Sequence, residues 1–434
     1  MHYFGTDGIR GKANEFLTRE LAIKVGKSLS LLECSDIVIG YDTRESNHML
    51  ADGIALGAKS VGKHIIDVGV IPTPGLCYIS ILKKCIGVMI TASHNPYQDN
   101  GIKIFFNGFK IPDDKELEIE NYLDSHDASI TNNVFGEIKC DYSLKEQYQS
   151  FLERKLLNSS LKVGFDCANG ATYEIANFFK KHLKEAFIVA NQPNGQNINN
   201  GVGSTHIENI SQIVKLNHLD IGFAFDGDGD RLLAVDELGV LHSGDELMYV
   251  IAKNLKEHNL LENDTCVLTI MSNLGIINSM KKMGIKVKTT SVGDRNVLLE
   301  MMKSHFVIGG ENSGHIIQAL HLTTGDGMLA AISILNIMRE TNKSLQELTK
   351  EIEIWPDKLV NLKVKDKHIA NDIRIKSLVD EYKNKYGSKL QLVIRASGTE
   401  NLLRVSCCAK EDTLVNHIID RFVTLIKQID EEVL

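Results

Sequence analysis

One pattern recurs three times along this chain: an apolar strand, a short polar turn, a helix-period segment and a second strand flagged by lysine. The first copy runs from Asp36-Ile-Val-Ile-Gly-Tyr-Asp42 through a predicted helix near 47–60 to Lys63-His-Ile-Ile-Asp-Val68. The second runs from Leu161-Lys-Val-Gly-Phe-Asp166 through a helix near 172–183 to Ala186-Phe-Ile-Val189, and the third from Thr265-Cys-Val-Leu-Thr-Ile270 through a helix near 275–283 to Ile285-Lys-Val-Lys288. Strands that are apolar on both faces and separated by helices belong to parallel sheets covered on both sides. Three similar α/β domains are therefore expected. The last part reads strand, helix, strand, strand, helix (359–364, 369–385, 390–394, 402–409, 412–429), which is α+β order. Linker helices are expected at 143–157 and 345–353. The boundaries fall at 1–155, 156–245, 246–355 and 356–434, the last marked by Trp355-Pro356.

Charge and composition narrow the function. Lys and Arg number 48 against 56 Asp and Glu, a net charge of −8, which disfavours a broad nucleic-acid surface but leaves room for a small basic pocket holding an anionic metabolite. The long apolar run Met328–Met338 falls well short of the roughly 20 residues that span a bilayer, and the opening MHYFGTDGIRG has no signal-peptide pattern. No membrane association and a cytoplasmic location are expected. The 8 cysteines form no C-x-x-C pair, so neither a disulfide framework nor a zinc site is indicated.

Four loops carry chemistry-bearing residues. Thr91-Ala-Ser-His-Asn-Pro96 follows the apolar strand Ile86–Ile90 and places Ser93 at its carboxyl end, where open α/β sheets bind ligands. Asp226-Gly-Asp-Gly-Asp-Arg231 converges three carboxylates, because alternate residues of an extended segment face one way. Such a cluster needs a cation, and hard oxygen ligands in a small site favour Mg²⁺. An EF-hand is excluded, since Arg231 stands where its loop requires glycine. Gly309-Gly-Glu-Asn-Ser-Gly-His315 offers Glu311 and Ser313 to vicinal sugar hydroxyls, beside a possible acid/base in His315. Arg395-Ala-Ser-Gly-Thr399, with Arg404 beyond it, combines guanidinium, hydroxyls and backbone N–H groups suited to a phosphate monoester. Singly, each also reads as an ordinary polar turn. Together, on four domains, they describe an enzyme closing around a phosphorylated sugar.

The set resembles the α-D-phosphohexomutase family over essentially the full length, through Phe4-Gly-Thr-Asp-Gly-Ile-Arg-Gly11, Thr91–Pro96 with Asp99-Asn-Gly-Ile-Lys103, Asp226–Arg231, Gly309–His315 with Thr324-Gly-Asp-Gly327, and Arg395–Glu400. The resemblance implies three mixed α/β domains plus an α+β C-terminal domain around a central cleft. It implies that Ser93 is a phosphoserine that ligates Mg²⁺ with Asp226, Asp228 and Asp230. Arg10 and Lys103 would flank it, Lys103 as acid/base, supported by His94 and Arg231. Glu311, Ser313 and His315 would meet the sugar, and Arg395, Ser397, Gly398 and Thr399 the non-reacting phosphate. A glucose or glucosamine bisphosphate would maintain the phosphoserine, in a monomer or homodimer. The Gly-Glu-Asn-Ser-Gly-His form and Val292-Gly-Asp-Arg295 resemble the glucosamine branch, which interconverts glucosamine 6-phosphate and glucosamine 1-phosphate for UDP-N-acetylglucosamine and cell-wall precursor synthesis. Mannose and glucose phosphates are the alternative substrates. A phosphatase using the same serine, or a non-catalytic sugar-phosphate sensor, fits less well. Ala396 and Asn401 stand where the family usually has proline, which is expected to loosen the phosphate loop and affect affinity rather than reaction type.

Overall fold

The computed structural model describes residues 2–5, 7–130, 136–396 and 401–432. In the first copy of the repeat, Asp36–Tyr41 is buried from Ile37 onward and pairs in parallel with His64–Val70 and Ile86–Ile90. Helix Asn47–Ser60 makes the crossover between the first two strands. The sheet runs Phe4–Gly5, Gly8–Lys12, Asp99–Phe106, Ile86–Ile90, Asp36–Tyr41, His64–Val70, Ile138–Cys140. The second sheet orders Leu183–Val189, Ser159–Asp166, Ile221–Phe225, Leu232–Asp236 and Leu241–His242; the third orders Lys286–Thr290, Thr265–Thr269, Ile308–Gly310 and Ile316–Gln318.

None of the three is purely parallel, which corrects the reading from the apolar runs. Asp99–Phe106 is antiparallel to Ile86–Ile90, Leu232–Asp236 to Ile221–Phe225, and Ile316–Gln318 to Ile308–Gly310. Each of these connections is too short for the dozen or more residues a parallel crossover needs, so the chain must reverse. The serine, acidic and glutamate loops are those three reversals. Each caps the end of a central parallel strand, and the sheet edge places its side chains in the interdomain space.

A second correction concerns the helix expected near 172–183, which is only a 3₁₀ segment, Ile175–Lys181. Its aromatics are poor helix formers and pack instead: the Phe179 ring lies 4.1 Å from Phe165 on the neighbouring strand and 4.2 Å from Phe178. Two other helices are shorter than expected: Ser143–Glu153 and Leu345–Thr349. The apolar run Met328–Met338 lies in helix Gly327–Thr341, buried through most of its length in a core continuous from Phe165 and Phe223 to Ile308 and Leu335. Thus the second and third sheets share one core. Among the described residues no helix is long and apolar enough to cross a membrane. The last domain is an antiparallel sheet, Asp357–Lys363, Leu402–Ala409, Leu390–Ala396, covered by helices Ile373–Tyr386 and Asp412–Glu432, with its own core around Leu403, Val405 and Phe422. The first of these helices starts later than expected, because Lys367–Asn371 is a 3₁₀ turn and the Asp372 side chain caps the α-helix by accepting from Arg374 N at 2.8 Å. All 8 cysteines are free.

Helices Arg19–Ser28 and Asn47–Ser60 pack backbone to backbone over the first sheet. A Cβ on Gly57 would lie 2.0 Å from Ile23 O, and one on Gly26 2.1 Å from Ile54 O. Helix propensity alone favours Gly57→Ala by about 1 kcal/mol, but forcing a methyl into closed space costs about 1–3 kcal/mol. Because the obstacle is backbone rather than a flexible side chain, the clash should win and the urea midpoint of Gly57→Ala should fall. A midpoint above wild type would show that the two helices separate freely.

Candidate active site

Ser93 sits at the tip of its loop with φ +51°, a left-handed conformation that costs a non-glycine residue on the order of 1–2 kcal/mol. The loop is held against that cost. Thr91 Oγ1 accepts from Ser93 N at 2.9 Å, and the fully buried Arg44 donates to the carbonyls of Ser93 (3.0 Å), Asn95 (2.8 Å), Asp99 (2.9 Å) and Pro96. Arg44 is itself fixed by Asp42, whose Oδ2 takes its Nε at 2.9 Å and Thr91 Oγ1 at 2.6 Å. From the second domain, Asn199 Nδ2 donates to the same Ser93 and Asn95 carbonyls at 2.9 and 3.0 Å. Sequence reasoning missed Asp42, Arg44 and Asn199. The available signal was Asp42-Thr-Arg44 at the carboxyl end of the strand beside the serine strand.

The Ser93 hydroxyl donates to Asp226 Oδ2 at 2.5 Å and lies 3.3 Å from His94 Nδ1. Asp226, Asp228 and Asp230 are buried and present carboxylate oxygens within 4.8 Å of one another. Among the described residues Asp228 Oδ1 and Asp230 Oδ1 are buried without a hydrogen-bond partner. Oxygen donors only, converging, with unsatisfied lone pairs, fit a hard divalent cation such as Mg²⁺. The first domain supplies the counterparts: Thr73 Oγ1 donates to Asp228 Oδ2 at 2.6 Å, and Lys103 Nζ to Asp228 at 2.8 Å and Asp230 at 3.3 Å. Burial, together with Asp230 and Asp228, pushes the Asp226 carboxyl well above the usual range. Burial opposes a charge on Lys103, but Asp228, Asp7 and Asp230 outweigh it and hold the ammonium protonated, so Lys103 stands as a charged donor. Burial, then Arg231 and Arg10, bring His94 down to about 4, which leaves it neutral at neutral pH.

Glu311 is half-buried, with Oε1 accepting from Gly293 N at 2.9 Å, and Ser313 is exposed. His315 is placed differently from these two. It is buried between carboxylates, Nδ1 3.6 Å from Asp230 Oδ1 and Nε2 3.5 Å from Asp294 Oδ2, and Nε2 accepts from Gly325 N at 3.0 Å. Burial disfavours a charge on this ring, but Asp230 and Asp294 outweigh it and raise the His315 pKa to about 9; when the ring is neutral, the N–H of Gly325 requires a bare Nε2 and leaves the proton on Nδ1. Arg10 pairs with Asp7, and its Nε and that of Arg231 are buried without partners among the described residues. Arg395 and Arg404 lie directly opposite on adjacent strands, and both have buried Nε atoms without partners among the described residues. Burial and Arg404 lower the Arg395 pKa, with Glu311 acting the other way. Ser397, Gly398 and Thr399 lie outside the described residues.

Models of the phosphoglucomutase/phosphomannomutase family match all four parts of the chain: alpha/beta/alpha domain I at 1–129, domain II at 143–239, domain III at 243–354, and the C-terminal domain at 359–425. The phosphoglucosamine mutases of Bacillus cytotoxicus and Bacillus subtilis are each 42% identical to it, over 98% of both chains. Among solved structures, it is similar to a phosphoglucomutase/phosphomannomutase family protein of Burkholderia thailandensis (TM-score 0.82, 20% identity, 98% of this chain and 97% of that one). It is also similar to the Aspergillus fumigatus N-acetylphosphoglucosamine mutase in complex with GlcNAc-6P and magnesium (TM-score 0.69, 17% identity, 99% and 96%). With four domain matches in order and full-length relatives at this identity, the chain belongs to the phosphoglucomutase/phosphomannomutase family of α-D-phosphohexomutases.

Proposed function

We propose that the chain is a phosphoglucosamine mutase, interconverting glucosamine 6-phosphate and glucosamine 1-phosphate through a phosphoserine at Ser93 and a glucosamine bisphosphate. The observation that carries the reading is the Ser93 hydroxyl, clamped in a left-handed turn and 2.5 Å from Asp226 within a buried cluster of three carboxylates. A binding protein has no use for that arrangement, whereas a phosphoryl carrier beside a cation needs both parts. The choice of glucosamine rests on relatives of that name at about 42% identity over the whole chain.

In the forward direction a sugar hydroxyl attacks the phosphorus of phosphoserine 93, the bond to Ser93 Oγ breaks, the hydroxyl proton ends on Ser93 Oγ, and a bisphosphate forms. After the intermediate turns over, Ser93 Oγ attacks the other phosphate and the product leaves. Such transfers pass through a loose transition state, so positioning and charge matter more than an early proton acceptor. Asp226, Asp228, Asp230 and the Ser93 phosphate would hold Mg²⁺, which when bound draws charge from the serine oxygen. Lys103 and Arg10 offer N–H groups to the transferring phosphate, with His94 and Arg231 beside it. Glu311 and Ser313 read the sugar hydroxyls, and His315 orients the acidic loop through Asp230. Arg395 and the loop Ser397, Gly398, Thr399 hold the phosphate that is not reacting, in either orientation. A glucose or glucosamine bisphosphate that escapes or is supplied would restore phosphoserine 93.

Ser93→Ala should abolish turnover and leave the fold intact, with the wild-type phosphate mapping to the Ser93 peptide by mass spectrometry. A phosphopeptide elsewhere in active enzyme would defeat the assignment. Asp228→Asn removes one ligand charge and an acceptor of Lys103; Mg²⁺ half-saturation should rise and kcat drop, and chelator should mimic it in the wild type. Full activity in chelator excludes the metal role. Arg395→Ala should reduce kcat/KM for glucosamine 6-phosphate and glucosamine 1-phosphate alike, by roughly 1.5–3 kcal/mol for a lost charged hydrogen bond. A loss confined to one direction would mean that no single clamp serves both orientations.

A further inference from the structure

Six side chains from three domains close a ring around one edge of the acidic loop. Lys103 Nζ bridges Asp230 (3.3 Å) to Asp7 (3.0 Å), and Lys110 Nζ bridges Asp7 (2.5 Å) to Asp294 (2.6 Å). Asp294 abuts His315, 3.5 Å away, and His315 returns to Asp230 at 3.6 Å. Asp7, Lys103 and Lys110 come from the first domain and Asp230 from the second, while Asp294 and His315 come from the third. Lys110 and Asp294 have no role in the reaction as described above. Both are largely enclosed, their side chains 12% and 17% exposed. Asp294 opens helix Asp294–Ser304, and the next residue, Arg295, donates to Ile111 O at 2.9 Å and pairs with Glu116 and Asp113. The third domain is thereby latched to the first at the point where Lys110 meets Asp294.

The charges explain why Lys110 is needed there. Asp7 has three cations at hand, Lys103, Lys110 and Arg10. Lys103 is shared among Asp7, Asp228 and Asp230. Buried carboxylates compete for such shared ammonium groups, so whatever neutralises Asp7 determines how much of Lys103 is left for the acidic loop. We propose that Lys110 is a positioning residue for phosphoryl transfer: by dividing its ammonium between Asp7 and Asp294 it leaves Lys103 seated on Asp228 and Asp230 beside Ser93. This rests on the reading of Ser93 as the phosphoryl carrier, and it adds a residue that touches neither the serine nor the acidic loop.

The test uses Lys110→Met, Lys110→Arg and the charge-balanced double variant Lys110→Met with Asp294→Asn, each assayed with glucosamine 1-phosphate and glucose 1-phosphate. Lys110→Met should lower kcat by at least about tenfold with KM changed by less than about threefold, since the residue acts on the transition state and not on ground-state sugar binding. Lys110→Arg should recover most of the rate. The double variant should be faster than Lys110→Met, because removing one carboxylate with one ammonium rebalances the ring; two independent structural losses would instead add. Calorimetric Mg²⁺ affinity of Lys110→Met without substrate should equal or exceed that of the wild type, because Asp7 draws Lys103 off the acidic loop. A loosened fold would weaken it. Wild-type kcat in Lys110→Met, a rise in KM instead, a double variant no better than the single one, or weakened Mg²⁺ binding each overturns the proposal. Wild-type enzyme active only on glucose 1-phosphate removes the glucosamine reading and leaves this test standing. If the wild type turns over neither sugar, the mutase reading fails and the calorimetry still decides on Lys110.

Discussion

Three carboxylates held within 4.8 Å of one another in a buried loop cannot stand unneutralised. At an effective dielectric of 20, two such charges repel by about 3 kcal/mol, before the desolvation of each is counted. The loop relieves part of this by raising Asp226, which shares a proton-rich contact with Ser93. The rest comes from outside its own domain: the ammonium of Lys103 and a hydroxyl bond from Thr73, at the start of helix Thr73–Lys83, from the first domain, and His315 from the third. The second domain is therefore incomplete without its neighbours, and the requirement for counter-charge is what brings the three sheets to one place. The same requirement makes the site receptive to a dication, which supplies that neutralisation more compactly than a lysine on a flexible stem.

Geometry makes this convergence repeatable. In each of the first three domains the chemistry-bearing loop is the tight reversal from a central parallel strand into an antiparallel neighbour. The fourth loop likewise joins two antiparallel strands, Leu390–Ala396 and Leu402–Ala409. A short reversal has both ends fixed by a ladder, so its side chains are aimed by the sheet rather than by the loop. Only the serine loop needed more, because its tip is strained. Arg44 and Asn199 together pin the same two carbonyls from two domains, so the conformation of Ser93 depends on the first and second domains staying docked.

The chain's pattern carried the three-fold α/β design and the strand ends that bear Ser93, Asp226 and Glu311, because burial and turn chemistry are local. It did not carry strand direction, since an apolar run reads alike in parallel and antiparallel positions, and it suggested a helix at 172–183 where Phe178 and Phe179 pack onto Phe165 instead. Spacing brought Asp226, Asp228 and Asp230 together, but nothing local could pair Lys110 with Asp294, 184 residues apart. His315 illustrates the same limit. Its loop suggested contact with sugar, while its two ring nitrogens are taken up by Gly325 and the carboxylates around it, contacts made across strands and domains.

The departure from proline at Ala396 and Asn401 bears on how the phosphate loop is rooted. Proline would fix φ at both positions but contributes no N–H. Here Ala396 ends its strand in register with Leu403, so the first root is held by the ladder. At the second root Asn401 O accepts from Val364 N at 3.0 Å, and Asn401 Nδ2 donates to Lys365 O at 3.3 Å, a tie that proline has no side-chain amide to make. Hydrogen bonds to a neighbouring strand thus stand in for ring rigidity at both ends of 397–400. The difference lies in when they act: a proline restricts the unfolded chain as well, whereas these bonds exist only when Asp357–Lys363 is docked beside Leu402–Ala409. The contacts of Ala396 and Asn401 therefore depend on the integrity of the C-terminal sheet, and Arg395 and Arg404 face one another on that same ladder with their charges unmatched by any carboxylate of their own domain among the described residues. On the proposed reading of this loop, an anion seated between the two opposed guanidiniums stabilises the sheet that holds them.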